Sequence, residues 1–363
     1  MKIGMLSYPG MAGCGIVAVE LGHELAERGH DVHFFSCNNP FRLNTDHPKI
    51  VTHLVQSSDF DLFTYPDQIF PLITKVAEIT RLHGLDVLHA HYAVPFGMVA
   101  LMAKQVSSRS PRLVMTLHGT DITILSKDSR YRDIIRHTLD NSDAITAVTK
   151  KLIETTTKRL GVKKPIHIVP NFPASRSIKG SWKKLRSSIK IRPDDFVLLH
   201  MSNLRPLKRI GDILKALAKC KTKPKLLILA GGDIQECETI AKTLGLSDSI
   251  RIQRNVTRVE EYIGISDAGV YASESEQCSL AILETMSSGK PVIATNSGGT
   301  PEVIKNTGLL FNVGDVDALA EHIDSLVMNP KRCQDLGIAA KRRTESVFSK
   351  NVIVNRYLNI YSN

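Results

Sequence analysis

The stretch Phe196-Val-Leu-Leu-His-Met-Ser-Asn-Leu-Arg-Pro-Leu-Lys-Arg209 decides the fold. Its opening, 196–201, reads as a buried strand, its middle as a basic loop broken by Pro206, and the following residues, 209–217, as a helix. The unit recurs downstream, with strands at 226–230, 250–253, 268–272 and 292–294 and helices at 234–244, 279–287 and 316–326. Upstream the alternation has already run once. Strands read at 2–7, 32–36, 50–55, 86–91, 113–117, 144–148 and 167–169, and helices at 16–28, 70–82, 97–106 and 131–139. Such alternation calls for a mostly parallel sheet covered by helices on both faces. Between the two runs, Pro170-Asn-Phe-Pro173 leads into the polar residues 174–181, which are poor in core side chains, as a linker is. The expectation is an α/β protein of two Rossmann-like, doubly wound domains facing a cleft, where ligands commonly bind. The domains span residues 1–172 and 173–345, and a tail, 346–363, helical over 350–361, packs back on the first.

A length of 363 residues suits two domains, and 42% hydrophobic with 23% charged residues is ordinary for a globular chain. The longest apolar runs, such as Lys225-Leu-Leu-Ile-Leu-Ala230, are strand-length, so no stable membrane insertion is expected. Met1-Lys-Ile-Gly-Met-Leu-Ser7 opens as a strand rather than a secretory signal, and a cytoplasmic location is expected. The six cysteines (14, 37, 220, 237, 278 and 333) form no CxxC pair, which points to reduced thiols rather than a disulfide framework or zinc site. Lys plus Arg exceed Asp plus Glu by 47 − 36 = 11, a balance that suits nucleic acid, anionic lipid or a phosphorylated substrate. No helix-turn-helix, RNP-type strand or zinc-finger spacing supports nucleic acid, whereas weak peripheral attraction to an anionic membrane stays open. The basic clusters 179–186 and Lys341-Arg-Arg343 read as solvated faces.

Glu276-Gln-Cys-Ser-Leu-Ala-Ile-Leu-Glu284 sets two carboxylates eight positions apart, just ahead of Gly289-Lys-Pro-Val-Ile-Ala-Thr295. A helix opening near Ser279 puts Glu276 on the preceding loop and Glu284 about a turn and a half inside, with free N–H groups between them. Two carboxylates flanking an anion site suit a nucleotide sugar, whose hydroxyls flank a diphosphate. The plainer alternative is a surface helix with acidic residues near its start. In the loop after 196–201, Arg205 and Lys208 stand where they can neutralise charge on a departing diphosphate. Cations at a helix start oppose the helix dipole, so their placement there hints at a bound anion.

Pro9-Gly-Met-Ala-Gly-Cys-Gly15 lies between the first strand and first helix, and Gly13-Cys-Gly15-Ile-Val-Ala18 fits the dinucleotide fingerprint G-x-G-x-x-A. A nicotinamide enzyme should then carry an acidic residue after its second strand, but that strand ends Phe35-Ser-Cys-Asn-Asn39. The loop reads as an anion or acceptor loop, with an NAD-dependent oxidoreductase as the rival. His118-Gly-Thr-Asp121 follows a strand end, where a His can meet a substrate hydroxyl or developing positive charge. His89 and His91 would share a strand face as a metal pair does, yet no third ligand is evident. Asp59-Phe-Asp61 and Asp315-Val-Asp317 look like the Asp-x-Asp of metal-dependent transferases but read as structural, the second as a helix cap. No G-x-S-x-G, P-loop lysine motif or H-E-x-x-H is present, which removes the common hydrolase and ATPase readings.

With these residues in place, the chain resembles the two-domain, retaining, metal-independent glycosyltransferases of family 4, of GT-B type. The similarity rests on the N-terminal glycine loop, His118-Gly-Thr-Asp121, Arg205 with Lys208, Glu276 with Glu284, and Gly298-Gly-Thr-Pro-Glu-Val303. It implies that Glu276 holds the donor sugar, Glu284 the nucleotide ribose and the basic pair the diphosphate, with His118 beside the reacting sugar. Catalytic roles are therefore expected for His118, Arg205, Lys208 and Glu276. Donor binding is expected from Gly13, Asn203, Arg205, Lys208, Glu276, Ser279, Leu280 and Glu284. No metal and no cofactor are implied.

Pro40-Phe-Arg-Leu-Asn44, His89-Ala-His-Tyr-Ala-Val-Pro95 and Thr116-Leu-His-Gly-Thr-Asp-Ile-Thr123 carry a narrower likeness. It is to the members of the family that serve bacillithiol biosynthesis, moving N-acetylglucosamine from UDP-N-acetylglucosamine to the L-malate hydroxyl. On that likeness the acceptor is a small dicarboxylate met by Gly13, Cys14, Gly15, Arg42, Tyr92 and Thr120; a homo-oligomer is expected. A lipid or polysaccharide acceptor is the alternative within the family, and a non-catalytic nucleotide-sugar-binding protein the alternative outside it. Three positions depart from the pattern. Glu276-Gln-Cys-Ser279 replaces the usual Glu-Ser-Phe-Gly, Cys14 stands for Ser, and Gly231-Gly-Asp-Ile-Gln235 replaces Gly-Asp-Gly-Pro-Glu.

Overall fold

In the computed structural model, which describes residues 1–10, 13–57, 67–174 and 182–363, the chain divides into two units. One is Met1–Asn171 together with Lys350–Asn363, the other Phe172–Ser349.

The first unit is built on seven parallel strands: β1 (Lys2–Leu6), β2 (Asp31–Ser36), β3 (Ile50–Leu54), β4 (Val87–His91), β5 (Arg112–Leu117), β6 (Ala144–Ala147) and β7 (Ile166–Ile168), in the order β3-β2-β1-β4-β5-β6-β7. Helices α1 (Gly13–Glu27), α2 (Ile69–His83), α3 (Met98–Val106), α4 (Thr120–Thr123), α5 (Ser129–Asp140) and α6 (Lys150–Leu160) connect them. All five residues of β4 are buried, as a central parallel strand between two helical layers requires. Helix α2 ends at Gly84, whose left-handed backbone (φ 65) lets its N–H donate to Thr80 O.

The second unit repeats the plan with β8 (Val197–Asn203), β9 (Lys225–Gly231), β10 (Ile250–Arg254), β11 (Ala268–Tyr271), β12 (Val292–Thr295) and β13 (Leu309–Phe311), parallel in the order β10-β9-β8-β11-β12-β13. Its helices are α7 (Trp182–Ser188), α8 (Ile210–Lys219), α9 (Gln235–Thr243), α10 (Val259–Ile265), α11 (Leu280–Ser287), α12 (Thr300–Ile304), α13 (Val316–Met328) and α14 (Pro330–Val347). Helix α8 buries Ile210, Ile213, Leu214 and Leu217 in a core shared with Leu226, Ile228 and Ile323. Both units are Rossmann-like and doubly wound. Their strand order reverses between β1 and β4 and between β8 and β11, the positions where ligands dock in such sheets.

The last helix, α15 (Lys350–Ser362), belongs to the first unit. It buries Ile353, Val354, Tyr357 and Tyr361; Tyr361 bonds His89 Nδ1 through its hydroxyl (2.7 Å), and Arg112 Nε donates to Ile360 O (2.8 Å).

Several elements differ from expectation. Helix α1 starts at Gly13 rather than at residue 16, so Gly13, Cys14 and Gly15 form its first turn and not a loop ahead of it. A Cβ on Gly15 would press on the Tyr8 carbonyl, so this glycine serves the fit of helix to loop. Strand β13 and helices α4, α6, α7, α10, α12 and α14 were not anticipated. Helix α6 buries only Leu152, Thr156 and Leu160, too thin an apolar stripe to read. The basic clusters are not simply solvated faces. Arg186 donates to the carbonyls of Pro193 and Ile265, and Arg343 to those of Glu302 and Val303, each stapling a turn in place. Asp315 caps α13 by accepting from Ala318 N (3.0 Å), whereas Asp59-Phe-Asp61, most of 174–181 and residues 179–181 of the first basic cluster lie outside the described residues. No helix among the described residues is long and apolar enough to cross a membrane, and all six cysteines are free.

Candidate active site

In the second unit the site forms where the strand order reverses. Strand β8 runs out through Ser202 and Asn203 into a single 3₁₀ turn, Pro206–Lys208, and β11 runs out into the Ser273–Ser279 loop before α11. Lys208 Nζ donates to Glu276 Oε2 at 2.5 Å, both side chains mostly withdrawn from water (16% and 23% exposed). In this structure Lys208 is met by Glu276, and Arg209 by Asp212 at 2.6 Å. Arg205 is exposed.

The loop carrying Glu276 is held on both sides. Glu274 N donates to Leu207 O (2.8 Å), Ser297 Oγ to Glu274 O (2.6 Å) and Gly299 N to Glu276 O (2.8 Å). Gly298 sits at φ 58, and a Cβ there would collide with the Glu276 carbonyl. The Gly298-Gly-Thr motif is therefore the clamp of the carboxylate loop. Ser279 is the N-cap of α11 and its side chain makes no capping bond, so the first N–H groups of that helix are open to an anion. Leu280 opens the helix, and half-buried Glu284 sits a turn and a half inside. Asn203 packs against Gly231 so closely that any side chain at 231 would displace it.

Sequence reading passed over three neighbours. His200, buried beneath the pair, donates from Nδ1 to Val270 O (2.9 Å) and accepts from Ser202 Oγ at Nε2 (2.7 Å); burial pushes it down to about 4. Tyr271 and the buried Thr300 hydroxyl line the same pocket.

In the first unit, the carboxyl ends of β1, β4 and β5 bring together Cys14, Tyr92, His118 and Thr120. Cys14 and Thr120 both lie beside the Tyr92 hydroxyl, which burial pushes up from its ordinary range. Burial pushes the Cys14 thiol up to about 11. Tyr92 is half-buried with φ 80, its ring 5.5 Å from that of His118. His118 is partly exposed and bonded through Nε2 to His91 Nδ1 at 2.8 Å, and withdrawal from water drives it down to about 3. Gly13 has open space beside it. Arg42 lies over the Phe41 ring (5.4 Å), and Phe41 N donates to Pro9 O (2.7 Å), tying its loop to the one leading into α1.

Asp121, unassigned from sequence, is fully buried and brackets the site. It accepts from Gly119 N (3.0 Å) and Ala93 N (3.3 Å), joining the ends of β4 and β5, and burial pushes its carboxyl up to about 6. His89 is engaged on both nitrogens, by Tyr361 and by Thr116 Oγ1 (2.7 Å). Among the described residues no group of three or more His, Cys, Asp or Glu side chains is arranged to hold a metal ion.

Residues 11–172 match the family described as Glycosyltransferase Family 4, and residues 182–343 the one described as Glycosyl transferases group 1. The chain belongs to glycosyltransferase family 4 and is a glycosyltransferase with two Rossmann-like units of GT-B type. It is 37% identical to the N-acetyl-alpha-D-glucosaminyl L-malate synthase of Bacillus anthracis, over 99% of this chain and 96% of that protein. Anabaena HepE in complex with UDP-glucose has a TM-score of 0.85 at 19% identity, covering 100% of this chain and 99% of that one. Sucrose-phosphate synthase from Thermosynechococcus elongatus has 0.82 at 20%, covering 100% and 98%. At such identities these two define the fold alone. Family membership sets aside the oxidoreductase reading of the glycine loop.

Proposed function

We propose that the enzyme moves N-acetylglucosamine from UDP-N-acetylglucosamine to the hydroxyl of L-malate, with retention and without a metal, in the cytoplasm. The observation that carries this reading is the Lys208–Glu276 pair at the β8–β11 switch, beside the uncapped start of α11. An ammonium has three donors, so Lys208 can stay on Glu276 and still offer two to a diphosphate. Arg205 and the N–H groups of α11 add positive potential where leaving-group charge grows. Glu276 then orients the sugar hydroxyls and Glu284 the ribose, with Gly13, Asn203, Ser279 and Leu280 lining the donor.

In the reaction, the bond from the anomeric carbon to phosphate oxygen breaks and a bond to the malate oxygen forms on the same face. The hydroxyl proton passes to a phosphate oxygen of the departing UDP. His118 stabilises the sugar and takes no proton. The malate identity is supported by the likeness to the Bacillus anthracis synthase and by the cluster of Cys14, Tyr92 and Thr120 at the start of α1, where a helix N-terminus favours a carboxylate. Arg42, with its planar fork, suits the second carboxylate.

A donor-and-acceptor panel on purified protein tests this. Nucleotide release from UDP-N-acetylglucosamine should rise with L-malate and survive a chelator, and Arg42→Ala should raise the malate KM while donor binding stays unchanged. If another acceptor succeeds where malate fails, the malate assignment falls and glycosyl transfer stands.

A further inference from the structure

His91 is a buried histidine that touches no expected substrate, yet its ring lies against that of His118 (centroids 5.1 Å, planes 22° apart) and the two share one hydrogen bond, Nδ1 to Nε2, at 2.8 Å. One ring must donate that bond and the other accept it. The remaining nitrogen of His91, Nε2, is fully buried and has no hydrogen-bond partner. A proton there would be an orphaned donor in a dry interior, whereas an unprotonated nitrogen leaves only an unfilled lone pair, the milder defect. The proton of neutral His91 therefore sits on Nδ1. His91 donates, His118 Nε2 accepts, and the proton of His118 is left on its own Nδ1.

We propose that His91 is a positioning residue: it locks His118 in the Nδ1–H tautomer, so that the free nitrogen of His118 is a hydrogen-bond donor and not a base. The inference rests on the placement of His118 beside the reacting sugar. There an N–H would meet a hydroxyl oxygen of the donor sugar, and proton removal from the acceptor would fall to the leaving phosphate. Both imidazoles are held neutral by burial, and at His91 the neighbouring His89 and His118 rings are further charges to avoid. The second His of His89-Ala-His91 thereby gains a role without a metal, because the strand period brings it to the end of β4 beside the residue that follows β5.

The test has two arms. Nitrogen-15 NMR of histidine-labelled protein, with the His118 signals assigned by their loss in His118→Gln, reads the tautomer without any substrate. The expected pattern is a protonated Nδ1 and an unprotonated Nε2 on His118, and the reverse pattern in the wild-type protein overturns the proposal. The second arm compares His91→Asn, whose amide N–H stands close to the Nδ1 position, with His91→Leu, which offers no donor. With UDP-N-acetylglucosamine and L-malate, His91→Leu should lower kcat about tenfold with the malate KM little changed, and His91→Asn should restore most of it. Equal losses in the two variants would make His91 a packing residue only. If neither variant folds, the NMR arm on the wild type still decides. If no transfer is seen with any acceptor, the function fails while the tautomer result stands by itself.

Discussion

Lys208 and Glu276 lie 68 positions apart in sequence and 2.5 Å apart in space, and each limits what the other can do. The carboxylate keeps the ammonium on the loop, and the ammonium gives a mostly withdrawn carboxylate an opposite charge to face. Removing Lys208 should therefore act on the transition state more than on donor binding, because charge on the departing diphosphate peaks there. Lys208→Ala is expected to cut kcat by the equivalent of about 2–4 kcal/mol with a smaller change in the Kd for UDP-N-acetylglucosamine. Glu284→Ala should do the opposite, weakening donor binding with the fold intact, since ribose contacts are made before and during reaction alike. Steady-state kinetics with donor titration of both variants separates the two, and a Lys208→Ala enzyme with full kcat would contradict the role. Sequence could nominate these residues through helix-terminus chemistry. It could not reveal that Lys208 is already paired with Glu276, nor that Asp121 is a buried bracket, because both depend on partners distant in the chain.

At the scale of elements, Gly298 shows how a loop motif can serve a site it does not enter. Its φ of 58 already disfavours a side chain, and a Cβ would meet the Glu276 carbonyl, which is backbone and cannot swing away. Gly298→Ala should therefore displace the Glu276 loop and break the Gly299-to-Glu276 bond. A loss of stability of about 1–3 kcal/mol is expected, with a fall in activity larger than that loss explains. Thermal unfolding with kinetics on the folded fraction checks this; near-normal turnover per folded molecule would show that the loop tolerates the shift. The start of α1 carries a related lesson. Gly13 and Gly15 are weak helix formers and local propensity places the helix start after them, whereas the helix begins at Gly13, with Gly15 seated against the Tyr8 carbonyl. Tertiary contact overrode propensity at that end.

Across the whole molecule, buried histidines shape the response to acid. Burial lowers His33, His53 and His200 to about 4, and His89 and His118 to about 3. Each folded-state pKa lies below the unfolded value near 6.5, so the unfolded chain binds more protons in acid. Their contribution is intact above about pH 6.5 and is lost as pH falls toward 4 and then 3. Asp121, raised to about 6 by burial, works in the opposite sense and favours the fold as pH falls below 6, but it is one group against five. Urea midpoints should therefore drop between pH 7.5 and pH 5; an equal or higher midpoint at pH 5 would refute the balance.

By itself the sequence determined two doubly wound α/β units, the helix with Glu276 ahead of it and Glu284 within, and the basic loop after 196–201. These follow from signals confined to a few turns of chain: apolar runs of strand length, helical periodicity, acidic residues at a helix start. Tertiary structure alone decided the rest. The strand order places the ends of β8 and β11 side by side, so that Lys208 reaches Glu276, and sets β4 against β5, so that His91 reaches His118. It also folds α15 onto the first unit, where Tyr361 meets His89 across 272 positions. Hydrogen bonds and ion pairs of this kind form between groups that the chain separates and the sheet brings together, and no local pattern carries their register.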